Sequence, residues 1–200
     1  MASPDTAQQL HAANASREDR LARVFHYHEE TKHRFDRYAR ALGYMDWANQ
    51  PDPFRYQGAA VISLPLLSAE ADPRSPAYDR LYGRGLIPPQ SLTRASLSRF
   101  FEYALSLTAW KEYGGNRWAL RSNPSSGNLH PTEGYLVMGA VPGLSEAPGV
   151  YHYAAKEHAL ERRMVGDPVR YRDMMQAYPP GAFLVGLTSI HWREAWKYGE

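Results

Sequence analysis

The chain has 200 residues, 44% hydrophobic and 22% charged, which suits one soluble globular domain and excludes wholesale disorder. It contains no cysteine, which removes zinc fingers, iron–sulfur clusters, thiol catalysis and disulfide scaffolds together. A net charge of +2 is too slight to mark a nucleic-acid-binding face, whereas 14 Tyr and 5 Trp suit a dense core, an interface or a planar ligand.

Residues 1–15 are polar, lack the basic and apolar regions of a secretory signal, and read as a flexible lead-in. The longest apolar run, around Ala182–Ile190, falls far short of the ~20 residues of a membrane span. Without cysteine or a targeting signal, the expected location is the cytoplasm. Ser16 reads as a helix N-cap with Asp19 at the capping-box position. Leu21, Val24, Phe25, His28, Phe35, Tyr38 and Leu42 continue at helical spacing until Gly43. Tyr44–Leu67 is irregular, broken by Pro51, Pro53 and Pro65 and anchored by Trp47, Phe54 and Tyr56, as in an arm laid over something else. Val61–Leu66 reads as a short edge strand, and Ser68–Gln90 as loop with one helical turn.

The spacing of Leu97, Phe101, Ala104, Leu105 and Thr108 predicts a second helix opened by Ser91 and ended by Gly114–Gly115. Tyr135–Val141 reads as a strand buried on both faces. Val150–Tyr153 and Ala159–Arg163 form a hairpin around Ala155–His158. Asp167 with Pro168 opens a third helix running to about Tyr178. Phe183–Ile190 reads as a second buried strand, and the chain from Trp192 has helical spacing.

Two ordinary site chemistries fit poorly. His26, His28, Glu29 and His33 crowd the first helix but form no His-Glu-x-x-His pattern, so a polar helix face is favoured over a metal site. Ser125, Ser126, His130 and Glu133 invite a hydrolase reading, yet no Gly-x-Ser-x-Gly elbow occurs. Dinucleotide and P-loop glycine motifs are absent as well. Arg121 through Glu133 offers an arginine fork for a phosphate, serine hydroxyls and turn amides for an anion, and an asparagine that donates and accepts, though its composition suits an ordinary turn equally well.

The run Arg121-Ser-Asn-Pro-Ser-Ser-Gly-Asn-Leu-His-Pro-Thr-Glu-Gly-Tyr135 resembles the flavin-binding segment of the nitroreductase superfamily, and more narrowly the SagB-type (ThcOx-type) dehydrogenases. Tyr27–His33, Leu42–Phe54, Gly149–Tyr153 and the closing Trp192–Tyr198 agree with that resemblance, which covers about residues 20–200. It implies an α+β fold, a mainly antiparallel sheet flanked by helices, with FMN bound between two such units in a homodimer or an intramolecular pseudo-dimer. It implies that Arg121 faces the FMN phosphate, and that Ser122, Pro124, Ser125, Ser126, Gly127, Asn128 and His130 line the cofactor. Lys197 and Tyr198 match the pair carried as catalytic in azoline oxidases. Those enzymes turn thiazolines and oxazolines of modified peptides into azoles and work with a cyclodehydratase. Hydride transfer to the flavin accompanies loss of a proton to a base, a role open to a lysine. The family's Arg-Arg-Ser-x-Arg phosphate motif is missing, and only Arg80 or Arg84 stands in that region.

The expected organisation is therefore a lead-in over 1–15, an N-terminal helix and arm over 16–90, and the N-terminal part of an FMN-binding domain over 91–200, incomplete at its C-terminus. The expected activity is FMN-dependent oxidation of peptide azolines. The alternatives are a nitro or quinone reductase of the same fold, or a non-catalytic scaffold of a peptide-modifying complex. Neither a membrane nor a nucleic-acid partner is expected.

Overall fold

The computed structural model describes residues 16–38, 54–68, 70 and 75–198, with side chains described as far as Ala195. The chain divides into two compact units, one of residues 1–45 with 192–200 and one of residues 46–191.

In the first unit, α1 (Arg17–Thr31) opens on the expected capping box: the Asp19 amide donates to Ser16 Oγ at 3.1 Å and the Ser16 amide donates to Asp19 Oδ2 at 3.1 Å. The helix stops at Thr31, well before Gly43. Side chains take the carbonyls of its last turns: Thr31 Oγ1 donates to Tyr27 O at 2.7 Å, and Arg37 Nη2 to Glu29 O at 2.6 Å. Phe35 and Tyr38, expected on its apolar face, lie beyond it and are exposed. Leu42, Gly43 and the aromatic anchor Trp47 fall outside the described residues. The last element, α4 (His191–Tyr198), is helical as expected.

The second unit is built on a five-stranded sheet of β1 (Ala60–Ser63), β4 (Thr132–Met138), β5 (Gly149–Ala154), β6 (Ala159–Val165) and β7 (Leu184–Ser189). Their order is β1-β6-β5-β4-β7 and every pairing is antiparallel. A 3₁₀ turn, Tyr78–Tyr82, interrupts the long loop after β1. The hairpin β5–β6 turns at Ala155–His158, where His158 has φ 47°. Asp167 caps α3 (Pro168–Met175) by accepting from the Arg170 amide at 2.9 Å, with Pro168 in the first turn.

Two expectations are corrected. The second helix, α2 (Arg94–Ala104), is capped by Thr93 rather than Ser91 and ends before Leu107. Leu107–Tyr113 is β2, paired with β3 (Asn116–Arg121) in a separate two-stranded ribbon. Gly114 and Gly115 have φ 57° and 79°, so the glycine pair makes a hairpin turn of the kind that suits twisted strands rather than a helix cap. The β-formers Trp110 and Tyr113 then pair across it, while Thr108 falls at the register shift between Leu107 and Ala109. The second correction concerns β7, which is not buried: it sits at the sheet edge beside β4 alone, with Val185 and Leu187 41% and 64% exposed.

Alternation along the strands assigns each face its role. Leu136, Met138, Tyr151, Tyr153 and Leu160 meet Leu97, Phe101 and Leu105 of α2 and its cap in the buried core. The rings of Phe101 and Tyr153 stack at 4.3 Å and 9°. Full burial of one such ring stabilises the fold by about 1.5–3 kcal/mol. The opposite face carries Tyr135, His152 and Glu161, which are register partners across β4, β5 and β6.

Gly149 is where β5 and β6 approach too closely for a side chain. A Cβ there would lie 2.7 Å from the backbone oxygen of Met164 and 3.0 Å from the Tyr151 ring. Gly149→Ala is expected to destabilise the protein by about 1–3 kcal/mol, read as a lower thermal midpoint with the secondary structure retained.

Candidate functional site

The loop between β3 and β4 begins at Arg121, which is 4% exposed. Its Nε donates to Leu105 O at 3.1 Å and its Nη1 to Thr132 O at 3.3 Å, tying the end of α2 to the start of β4. Burial lowers the guanidinium's pKa below its ordinary value, and the nearby charge of Glu133 works in the opposite direction. Arg121 Nη2 is buried and has no hydrogen-bond partner among the described residues. Ser122 Oγ donates to Glu102 O at 2.9 Å.

The turn that follows is shaped by left-handed backbone at Gly127, Asn128 and His130, with φ of 72°, 55° and 49°. Glycine and asparagine accept that region readily; histidine does so at a cost. The compensation is local. The His130 amide donates to Ser125 Oγ at 2.9 Å, and Asn128 Nδ2 donates to Ala119 O at 2.8 Å. His130 Nε2 lies 3.0 Å from the same Ala119 carbonyl, which only accepts, so that nitrogen carries the hydrogen. Ser125, Asn128 and His130 thus shape the loop from inside, while Pro124 and Ser126 are exposed and Gly127 is half-buried. Asn123 Oδ1 is a second buried atom with no partner. In the loop, Arg121 Nη2 is therefore an unmatched donor and Asn123 Oδ1 an unmatched acceptor. That pair fits a ligand with both anionic and amide-like edges, such as FMN. In the linear sequence, only its position before Pro124 distinguishes Asn123.

The hydrolase constellation does not assemble, because His130 Nε2 is taken by Ala119 and Glu133 turns to another histidine. Of the first-helix cluster, Glu29 pairs with Arg34, and the His33 ring sits edge-on to Tyr38 at 5.7 Å. Among the described residues no group of three or more His, Asp or Glu is arranged to hold a metal ion. Arg80 donates to Leu86 O at 2.8 Å, closing its own loop. Lys197 and Tyr198 lie in α4, and their side chains fall outside the described residues.

Two buried polar chains carry no signal in the linear sequence. In the first, His152 is fully buried, with Nε2 2.7 Å from Glu133 Oε2 and Nδ1 2.8 Å from Glu161 Oε2. Glu161 also accepts from Arg55 Nε at 2.5 Å and from the Tyr56 amide at 3.1 Å. Burial pushes the Glu161 pKa up, but hydrogen bonds from Arg55, His152 and Tyr56 outweigh it and hold the carboxyl below its ordinary value. Phe54 and Tyr56 set their rings edge-on to His152 at 5.7 and 5.2 Å.

In the second chain, His158 sits between Ser98 Oγ and the Tyr153 hydroxyl, each at 2.7 Å. Ser98 donates to Pro65 O, so His158 Nε2 donates to Ser98 while Nδ1 accepts from Tyr153. Burial raises the Tyr153 pKa and keeps that proton in place.

Burial also lowers the His158 pKa below 6.5, with Glu102 opposing. A histidine depressed in the folded state leaves stability intact above about pH 6.5, where both states are neutral. Stability falls as the pH drops below that value and the unfolded chain takes up the proton first. Urea midpoints measured from pH 7.5 to pH 5 are expected to fall less in His158→Gln than in the wild type.

No protein-family model and no curated protein matches the chain. A crystal structure from Anabaena variabilis, described as a "putative nitroreductase", is similar to it with a TM-score of 0.57 and 29% identity. The similarity covers 86% of this chain and 33% of the other, so the chain spans one third of the length of the structure it matches. Among the described residues, no helix is long and apolar enough to cross a membrane. The α+β architecture with its antiparallel sheet is a nitroreductase-like fold.

Proposed function

We propose that this chain forms part of an FMN-dependent oxidoreductase, with the cofactor held at the 121–131 loop. The observation that carries the reading is the loop's unmatched pair, Arg121 Nη2 and Asn123 Oδ1, within a fold similar to a nitroreductase. Arg121 would supply charge and a free N–H to the phosphate, and Asn123 an acceptor to an N–H of the ring system. Ser122, Pro124, Ser125, Ser126, Gly127, Asn128 and His130 would give the loop its shape and present its backbone. FMN, when bound, supplies reversible hydride acceptance. The chain's own share is to orient the cofactor, exclude water and manage the proton.

The Anabaena protein's description favours a nitroaromatic or quinone substrate for the same fold. The Lys197–Tyr198 motif in α4 favours a peptide azoline, with Lys197 taking the ring proton and Tyr198 assisting. A cyclodehydratase would then supply the azoline.

Titration with FMN, followed by flavin fluorescence, tests the cofactor. The wild type is expected to quench it, and Asn123→Ala to weaken binding about tenfold, the effect of one lost hydrogen bond. A folded, colourless wild type indifferent to FMN would overturn the reading in favour of a scaffold. Lys197→Ala is expected to retain flavin binding and nitro reduction while azoline oxidation slows about 10²-fold or more. Undiminished azoline turnover in that variant removes Lys197 from the chemistry.

A further inference from the structure

We propose that the cleft beside the 139–148 loop binds a short peptide with free termini, Arg162 taking its carboxylate and Glu146 its ammonium group. The loop joins the end of β4 to the start of β5, so the cleft lies at the opposite end of β4 from the 121–131 loop and does not depend on the flavin reading. It holds about 820 Å³ and is lined by loop residues from Ala140 to Pro148 together with Tyr151, Arg162 and Val165. That volume is in the range of sites that take small ligands.

The wall is held by its own hydrogen bonds before any ligand arrives. The Val141 amide donates to Ser145 O at 2.8 Å, and the Ser145 amide donates back to Val141 O at 2.9 Å. The buried Tyr151 hydroxyl donates to Ser145 Oγ at 2.7 Å, and Ser145 Oγ donates to Ala147 O at 2.7 Å. The Gly166 amide donates to Pro148 O at 2.7 Å, fixing the far end of the loop to the end of β6. A wall pinned in this way loses little freedom when a ligand binds.

Both hydroxyl hydrogens are engaged within the wall, and the lining keeps one cation and one anion for a ligand. Arg162 and Glu146 are exposed, and neither forms an ion pair or hydrogen bond with any described residue, the other included. Arg162 is the register partner of Tyr151 and shares its face of the sheet, whereas Arg163 turns to the opposite face and stacks on the Tyr56 ring at 3.5 Å. A simple anion gains at Arg162 and loses at Glu146, and a simple cation does the reverse. Opposite charges on one lining that do not neutralise each other suit a ligand that carries both signs. A free amino acid bears its two charged groups on one carbon, while a short peptide sets them apart with side chains between. Val141, Leu144 and Val165 supply apolar surface for those side chains.

NMR chemical-shift titration of the full chain with the dipeptide leucylalanine, set beside its N-acetylated and C-amidated forms, tests the site. The free dipeptide is expected to shift resonances of the 139–148 loop with a Kd of about 1 mM or tighter, and each block to weaken binding about fivefold. Arg162→Gln is expected to bind the free and amidated forms alike, and Glu146→Gln the free and acetylated forms alike, because each variant lacks the partner of the blocked end. Arg163→Gln, altered on the opposite face, is expected to match the wild type. Three results overturn the proposal: no shift at about 10 mM free dipeptide, shifts centred away from the loop, or a wild type whose affinity ignores either block. The last of these is read on the wild type alone, so the outcome does not rest on the folding of any variant.

Discussion

Three ionisable side chains lying side by side inside a sheet impose a strict condition: each must be matched, because one unmatched buried charge costs several kcal/mol. Glu133, His152 and Glu161 meet it by occupying neighbouring strands, so the hydrogen bonds among them also fix the relation of β4, β5 and β6. Arg55 arrives from outside the sheet to pair with Glu161, which brings the Phe54–Tyr56 segment with it. Glu133 follows Pro131 by two residues, so the same array anchors the β4 end of the 121–131 loop. The arm and the loop are thus joined through one set of hydrogen bonds.

The loop's other end is held by a different device. Arg121 reaches under β4 to Thr132 and across to the cap of α2, on the apolar face where Phe101 and Tyr153 stack. With both ends pinned, the residues between have little freedom, and Ser125, Asn128 and His130 use their side chains to support left-handed backbone. That division changes what the loop offers a ligand. Side chains that look like ligand contacts in a linear motif are committed to loop shape. In the loop, Arg121 Nη2 and Asn123 Oδ1 are buried without a hydrogen-bond partner among the described residues.

Local signals were legible where they are self-contained. The Ser16–Asp19 box, the Asp167–Pro168 start and the Ala155–His158 turn each depend on residues a few positions apart. The Gly114–Gly115 pair was ambiguous because the same residues end helices and turn hairpins. Only pairing of Leu107–Tyr113 with Asn116–Arg121 decides between them. The exposure of β7 was illegible for a related reason: an apolar run reports that a strand prefers burial, not whether a neighbour exists on its far side. His152 presents the hardest case. In Gly149–Ala154 a lone histidine among apolar residues suggests a solvent-facing position, and period-two alternation does place it off the core face. What covers it comes from residues 54–56, far away in sequence, and no spacing rule connects the two.

The cover over His152 is polar at its base and aromatic at its rim. An arm seated on leucines would close by area alone. Here the rings of Phe54 and Tyr56 exclude water from His152, which strengthens every hydrogen bond beneath them and makes each one costlier to lose. Closure is then cooperative: the rings keep the array dry, and the charge-matched array keeps the rings in place. Beneath the rings, Arg55 and the Tyr56 amide donate to the buried Glu161 carboxylate, so the seal has a directional base that an apolar one of the same area lacks.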